Sequence, residues 1–544
     1  MQNGDHSSFE QLLHPAANPA SFAHYIWQLK YRAATDSTLA DTWHRVAAAA
    51  AAVETDPALW QPQFRALLQD CRFLPGGRIL AGAGTDRNVT LFNCFVMGLI
   101  PDTMDGIFNS LREGALTMQA GGGVGYDFST LRPQGMPAKA TGNIASGPVS
   151  FMHIWNAMCG TLLSSGARRG AMIATLRCDH PDIESFITAK RNGSALTHFN
   201  LSVQVSEDFM RAVHEQHEWP LVFPLQHGEE QQGREVVLRN WPGGAGLVPC
   251  VVRRRVAAAA LWRLIMEANY DSGEPGVLFV DRINALNNLH WREHLTCTNP
   301  CGEIPLPPYG ACNLGSLNLT RFIEQPFTPT AAINLQALVT ATETATRLLD
   351  NIIDCSRFPL PSQAQAAKGS RRIGLGITGL ADALLMLGLH YGSHAARSQA
   401  ATVMQTICHA AYRSSIRLAQ EKCSFPYFER EPYLQSGFVQ TLPVDIRDGI
   451  ARHGIRNSHL IAIAPAGTIS LLAGNVSSGI EPVFAFTLIR SVLERDGSTQ
   501  NFTLQDYAWC RWQEMGADTT APLPGHFVSA LQLAPSEHLL MQAA

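Results

Sequence analysis

Apolar residues change their spacing several times along the chain. From residue 22 to residue 72 they recur at helical intervals: WHRVAAAAAAVE is built from strong helix formers, and LWQPQFRALLQD continues the spacing. A helical N-terminal region over residues 1–75 is therefore expected. FLPGGRILAGAG then breaks the pattern with proline and glycine. From LFNCFVMGL onward, short continuous apolar runs alternate with helical stretches. NIIDCSRF, RRIGLGITGLADALLMLGL and HLIAIAPAGTISLL read as parts of α/β units, in which buried strands are unbroken apolar runs. Residues 225–255 are polar and glycine-bearing, and read as an insertion or long surface connection. A helix is expected to begin at PSEHLL near the C-terminal end. No internal repeat or clean interdomain linker stands out, so residues 76–544 are expected to form one α/β unit.

Composition changes this picture little. A chain of 544 residues, 46% hydrophobic, can build a large core, whether as two or three domains or as one with appendages. A net charge of −4 gives no electrostatic case for DNA or an anionic membrane as a bulk partner. No apolar run reaches the roughly 18 residues that a membrane helix needs. The N-terminus lacks the basic and apolar regions of a secretory signal, so a cytoplasmic location is expected. The 12 cysteines are scattered, without a C-x2-C pair. That is not a disulfide scaffold or a zinc ribbon, and no metal site is expected. Most of these cysteines read as small buried hydrophobes, so any with a chemical role must be recognised by its neighbours.

The stretch NPCGEIPLPPYGACNLG, residues 299–315, supplies such neighbours. Cys301 lies two residues after Asn299 and two before Glu303. In an extended segment these three would share a face, presenting an amide, a thiol and a carboxylate. Pro305, Pro307 and Pro308 exclude a helix there. A buried cysteine in a turn beside a surface glutamate explains the spacing equally well. GGGVGYDFS (121–129) allows close approach of backbone to a ligand or another strand, but it is not a dinucleotide fingerprint. IAIAPAGTIS (461–470) reads as a buried strand, a turn and a helix start, with Gly467, Thr468, Ile469 and Ser470 able to aim donors at a phosphate. A well-capped helix without a ligand fits as well. The basic stretches 164–176 and 190–203 read as anion-binding loops or solvated basic turns.

Taken in order, these segments and their neighbours resemble the catalytic subunit of ribonucleotide reductase, in its adenosylcobalamin-dependent (class II) form. The resemblance runs through FLPGGRILAGAG, VTLFNCFVMG, GALTMQAGGGVGYDFSTLRPQG, SGPVSFMHIWNAM, ARRGAMIATLRCDHPDIESFI, FNLSVQVSEDFM, NPCGEIPLPPYGACNLGSLNL, RRIGLGITGLADAL and RNSHLIAIAPAGTISLLAGNVSSGIEPVF.

The resemblance implies a ten-stranded α/β barrel, with two five-stranded parallel halves set antiparallel and residues 297–315 as a central finger loop. It implies reduction of ribonucleoside di- or triphosphates to deoxyribonucleotides for DNA synthesis and repair. Cys301 would carry a thiyl radical, Glu303 would be the base and Asn299 would hold the substrate hydroxyls. Cys94 and Cys312 would be the reducing dithiol. Asn93, Gly122 and the turn Ala466, Gly467, Thr468, Ile469 and Ser470 would bind substrate; threonine often stands in the family at the position of Ala466.

Asn156, Arg168, Arg169, Lys190 and Arg191 would belong to a deoxynucleoside triphosphate effector site, in loops of about residues 160–200 at a homodimer interface. Related sequences often carry aspartate at the position of Asn156. The short spacing from Cys301 to Cys312 favours adenosylcobalamin as cofactor, and a thioredoxin-like reductant would restore the dithiol. Family members continue past MQAA with a final barrel strand, so the barrel is expected to lack that strand here. Truncation, a split enzyme with a separate C-terminal polypeptide, or a nucleotide-binding regulatory relative would each account for this.

Overall fold

The computed structural model describes residues 19–138, 143–164, 168–191, 193, 195–226, 233–244, 246–493, 498–518 and 521–544. Residues 1–18 of the expected helical region lie outside these. So do 165–167, 192 and 194 of the expected effector loops, and 227–232 and 245 of the expected insertion.

Helices α1 (Pro19–Lys30), α2 (Leu39–Ala51) and α3 (Pro57–Leu68) occupy the segment expected to be helical. Local chemistry divides it. Thr38 caps α2 in a capping box with Asp41. Asp56 accepts from the Leu59 N–H while Pro57 opens α3 without needing a donor. Both helices pack on α4 (Leu335–Cys355), so the N-terminal helices share one hydrophobic core with the rest of the chain. Asn351–Cys355, within the run NIIDCSRF, ends α4 rather than forming a strand.

The central sheet has eight strands. They are β1 (Phe73–Pro75), β2 (Cys94–Val96), β3 (Gly123–Asp127), β4 (Met172–Arg177), β5 (Phe199–Val205), β6 (Gly276–Phe279), β7 (Ala311–Asn318) and β8 (Ile373–Thr378). Strands β2, β3, β4, β5 and β6 pair in parallel, in that order. Strand β7 runs antiparallel to β2 and parallel to β8, so a second, opposed group of strands begins at the β2–β7 seam. Every residue of β7 and β8 is buried, including the polar Asn313, Ser316, Asn318 and Thr378 among their apolar and glycine neighbours.

The expectation was a ten-stranded barrel lacking its final strand; the described residues place eight strands in this sheet. The run expected as a further strand, IAIA, is reduced to one bridge between Ile461 and Leu375. Its backbone follows β8 only briefly, from His459 to Ala462, before Pro465 interrupts it.

Of the two readings of residues 225–255, an insertion or a long surface connection, the irregular connection is not what the described residues form. Strands Val236–Asn240 and Leu247–Ala257 form a three-stranded antiparallel sheet with Glu218–Pro224. Val222, Phe223, Trp241 and Cys250 make a small core beneath it, which irregular polar chain could not supply. The expected C-terminal helix is present at Pro535–Ala543.

Candidate functional site

The finger-loop prediction corresponds to a hairpin. Cys297–Thr298 pairs with Pro305–Leu306, and a tight turn joins them. The turn is written in the sequence NPCG: Asn299 accepts from the Gly302 N–H at 2.9 Å, Pro300 sets φ at the second position and Gly302 adopts φ +85°. The segment is therefore folded back, not extended as the alternation of Asn299, Cys301 and Glu303 suggested. Asn299 and Glu303 still meet, because the turn brings them together. Asn299 Nδ2 donates to Glu303 Oε2 at 2.6 Å. Asn299 Oδ1 accepts from the Ile304 N–H at 3.0 Å and the Thr298 hydroxyl at 3.1 Å, bracing the hairpin.

The glycine-rich stretch explains how this hairpin fits. A Cβ on Gly125 of β3 would lie 2.0 Å from the Thr298 carbonyl oxygen. Glycine there lets the hairpin pass against the strand. Pro300 lies over Gly123, and its carbonyl accepts from Asn200 Nδ2 at 2.7 Å. Of the two uses read for this stretch, close approach of another strand is what the glycines serve.

Strands β2 and β7 converge on the hairpin. Cys94 and Cys312 stand directly opposite each other in the β2–β7 ladder. Opposed residues in antiparallel strands have Cα atoms about 4.5–5.5 Å apart, a separation that a disulfide can span. Both are in thiol form here. Asn299 Nδ2 also donates to Cys94 Sγ at 3.2 Å, so one amide contacts both the carboxylate of Glu303 and a sulfur of the pair. Cys94 and Cys312 are buried, with Cys297, Ile304, Leu306 and Leu314 around them. Burial is the main reason the Cys312 thiol is pushed well up; Arg372 pulls it down and Glu303 pushes it further up. Cys301, at the turn, is exposed. The hairpin thus carries an accessible thiol at its turn, while Cys94 and Cys312 are buried.

The turn Ala466–Ser470 lies where the IAIAPAGTIS reading places it. A short helix, Gly467–Leu472, starts there, with Gly467 and Thr468 exposed. A Cβ on Gly467 would meet nothing within 4 Å, so the space before it is open. The Ala466 N–H is taken by the Ser478 hydroxyl, and the Ser470 hydroxyl donates to the Gly467 carbonyl at 2.7 Å. Of this turn's two hydroxyl-bearing residues, Ser470 is thus engaged within the turn, while Thr468 is exposed. Asn93, next to Cys94, has a buried Oδ1 without a hydrogen bond. Gly122 is held by the Thr117 carbonyl, and a Cβ there would strike Phe95.

The expected effector residues are more dispersed. Asn156 Oδ1 accepts from the His198 N–H at 2.9 Å, tying helix Pro148–Thr161 to the second loop. Arg168 and Arg169 form a two-residue ladder with Ser164 and Leu163. Lys190 pairs with Glu274 at 2.8 Å and Arg191 with Asp271 at 2.7 Å. Both cations are thus already matched by carboxylates of the chain.

Two features escaped sequence reasoning. Arg372, the second arginine of RRIGLGIT, is 3% exposed and forms an ion pair with Glu293. A charged pair just before a buried strand was its only signal. A cavity of about 580 Å³ opens at the base of the hairpin, lined by Trp241, Arg292, Glu293, Tyr309, Arg372 and Tyr427 among others. Its lining comes from six separate chain segments, which no local pattern reveals.

No helix of the described residues is long and apolar enough to cross a membrane. Residues 92–520 match the family model "Ribonucleotide reductase, barrel domain". A vitamin B12-dependent ribonucleoside-diphosphate reductase of Mycobacterium tuberculosis (strain CDC 1551 / Oshkosh) is 37% identical over 501 residues, which is 89% of this chain and 66% of that protein. The protein of that name from Thermoplasma acidophilum is 34% identical over 79% of this chain and 50% of its own length. The ribonucleoside-diphosphate reductase large subunit of Monkeypox virus is 27% identical over 80% of this chain and 58% of its own length. The chain thus spans between half and just under two thirds of these curated relatives. With the opposed strand groups, the threaded hairpin and the facing cysteines, a match over most of its length places this chain in the ribonucleotide reductase family, of which it carries the barrel domain.

Proposed function

We propose that this chain reduces ribonucleotides to 2′-deoxyribonucleotides, with adenosylcobalamin as cofactor. The observation that carries the reading is the convergence of Cys94, Cys312, Asn299 and Glu303 at the hairpin whose turn holds the exposed Cys301. A ribose C–H bond is too inert for polar chemistry alone. When bound, adenosylcobalamin supplies radical chemistry to a thiol. The arrangement fits such a group: of the three thiols in question, Cys301 is the exposed one, reachable by a bulky cofactor, while the pair is shielded.

Cys301, as a thiyl radical, takes the substrate's 3′ hydrogen atom and returns it at the end. Glu303 accepts the 3′-hydroxyl proton, and Asn299 orients both the carboxylate and the substrate hydroxyls. The 2′-hydroxyl leaves as water. Two electrons and two protons come from Cys94 and Cys312, which become a disulfide. Burial of that pair limits competing thiol reactions. The turn at Gly467–Ser470 is read as holding substrate phosphate, with Thr468 and open space before Gly467 in support.

Asn156, Arg168, Arg169, Lys190 and Arg191 are read as a deoxynucleoside triphosphate effector site of a homodimer. Binding through Lys190 or Arg191 would require a phosphate to replace Glu274 or Asp271. An external dithiol protein of the thioredoxin type would restore the thiols.

The test is deoxynucleotide formation from each ribonucleoside di- and triphosphate, with adenosylcobalamin and dithiothreitol. Product from the wild-type chain and none from Cys301→Ala is expected. Product from Cys301→Ala would remove Cys301 from the role given to it, and nucleotide binding without turnover in the wild type would favour a regulatory subunit.

A further inference from the structure

Three adjacent strands line up three reactive groups. Cys94 on β2 faces Cys312 on β7. On the other flank of β7, the parallel register pairs Asn313 with Ile373. Carried back one residue, that register sets Arg372 alongside Cys312. Parallel partners at the same register project to the same side of a sheet. Arg371 goes the other way, to Asp350 and Asp354. Arg372 is buried and anchored by Glu293, which is itself 10% exposed. A Cβ on Gly374 would lie 3.1 Å from Cys312 Sγ, so the absence of a side chain there leaves the sulfur room beside β8.

The two sulfurs are therefore not equivalent. Cys94 is the more accessible, 7% exposed against 2% for Cys312, and contacts the Asn299 amide. The charged groups acting on Cys312 are Arg372 from β8 and Glu303 from the hairpin, with the thiols of Cys94 and Cys297 nearby. Arg372 in turn faces Glu293 and His459.

We propose that Arg372 is a positioning residue for the thiol pair: its anchored guanidinium offsets the burial that disfavours charge on Cys312, so that Cys312 can leave when an external dithiol reduces a Cys94–Cys312 disulfide. This rests on the reading of Cys94 and Cys312 as the reducing pair. A thiolate of the external dithiol attacks Cys94 Sγ, and the Cys94–Cys312 bond breaks with its electron pair on Cys312. The second external thiol attacks the mixed disulfide and releases Cys94. The external dithiol ends as a disulfide, and its two protons end on Cys94 and Cys312. Leaving-group rates rise as the thiolate is stabilised, and a fixed cation in a dry site does this without reorganisation. Glu293 sets the strength of the effect by partly neutralising the guanidinium.

The test uses the full chain, oxidised with diamide, and needs no cofactor. Reduction by dithiothreitol is followed from pH 6 to 9 by quenching and mass mapping, and 2-mercaptoethanol serves as a monothiol to trap the mixed disulfide. The adduct is expected on Cys94. Arg372→Met is expected to slow reduction about tenfold, with Arg372→Lys within about threefold of wild type, in line with the dependence of exchange on leaving-group acidity. Glu293→Gln is expected to speed reduction, because it removes the counter-charge while leaving Arg372 in place. A purely structural role would make Arg372→Met and Glu293→Gln err in the same direction. An adduct on Cys312, an unchanged rate in Arg372→Met, or slowing in Glu293→Gln overturns the proposal. Should Arg372→Met fail to fold, Glu293→Gln and the adduct position decide it. If the wild-type chain forms no Cys94–Cys312 disulfide at all, the dithiol reading falls along with it.

Discussion

Asn299 donates from one amide nitrogen to two partners, Glu303 Oε2 at 2.6 Å and Cys94 Sγ at 3.2 Å. The second partner lies 205 residues away in the chain. This amide is the point at which the hairpin turn and the thiol-bearing strand are joined. Its oxygen meanwhile holds the turn itself, through Ile304 and Thr298.

Asn299→Ala should therefore cost stability as well as chemistry. The residue is fully buried, and its loss strands the Ile304 N–H, while the Thr298 hydroxyl keeps the Ile304 carbonyl at 2.9 Å. A destabilisation of about 1–3 kcal/mol is expected from buried groups left without partners. Denaturant melts would measure it. A variant as stable as wild type would show that water or a rearranged turn replaces the amide.

The facing positions of Cys94 and Cys312 make a second expectation. Mild oxidation should link these two before other pairs, because opposed strand positions need little backbone movement to bond. Peptide mapping after diamide treatment checks this. Cys94→Ser should abolish the product, and a dominant bond from Cys301 to Cys297 instead would contradict the observed register.

A pH effect is expected far from the hairpin. Asp382 and Asp506 are both buried, at 0% and 4% exposure. Asp382 accepts from the Ser477 and Ala508 N–H groups, and Asp506 caps a helix through the Trp509 N–H. Burial raises both carboxyl groups above their usual range, and the charge of Asp382 raises Asp506 further. A carboxyl raised in the folded state binds its proton more tightly there than in the unfolded chain. Its stabilising contribution is complete below the unfolded value and is lost as pH climbs through the folded one. Asp506→Asn keeps a capping oxygen and removes one ionisation. Wild type should thus lose thermal stability relative to Asp506→Asn as pH rises above the ordinary carboxylate range, which scanning fluorimetry would reveal. Parallel pH profiles would mean that Asp506 is not raised in the folded state.

Glu54 ties the N-terminal helices to the rest of the fold. It is bound by Lys422 at 2.8 Å, Asn351 at 2.8 Å and Arg347 at 3.2 Å, and Arg347 also stacks on Trp60 at 3.8 Å. Glu54→Gln leaves two cations without their shared carboxylate in a buried setting. A loss of about 3–5 kcal/mol is expected, as for other broken buried pairs. Calorimetry would give the value, and a near-neutral result would mean that Glu421, which also reaches Arg347, takes over the charge.

Local chemistry determined a good part of this molecule. The helical N-terminal segment, the buried strand RRIGLGIT and the helix at PSEHLL follow from spacing and turn residues acting over a few positions. NPCG likewise encodes its own reverse turn, although alternation misread it as extended. What the chain alone could not reveal is which segments meet. Whether Cys94 opposes Cys312 depends on strand register, and a shift of one residue would turn either side chain to the other face. That register is chosen by packing across the whole sheet, by Gly125 admitting the hairpin and by Gly374 making room for a sulfur. The same holds for Arg372, whose partners Glu293 and Cys312 come from two separate stretches of chain. Local propensities act over a few residues, whereas the site is assembled by contacts spanning hundreds, and only the folded sheet decides those.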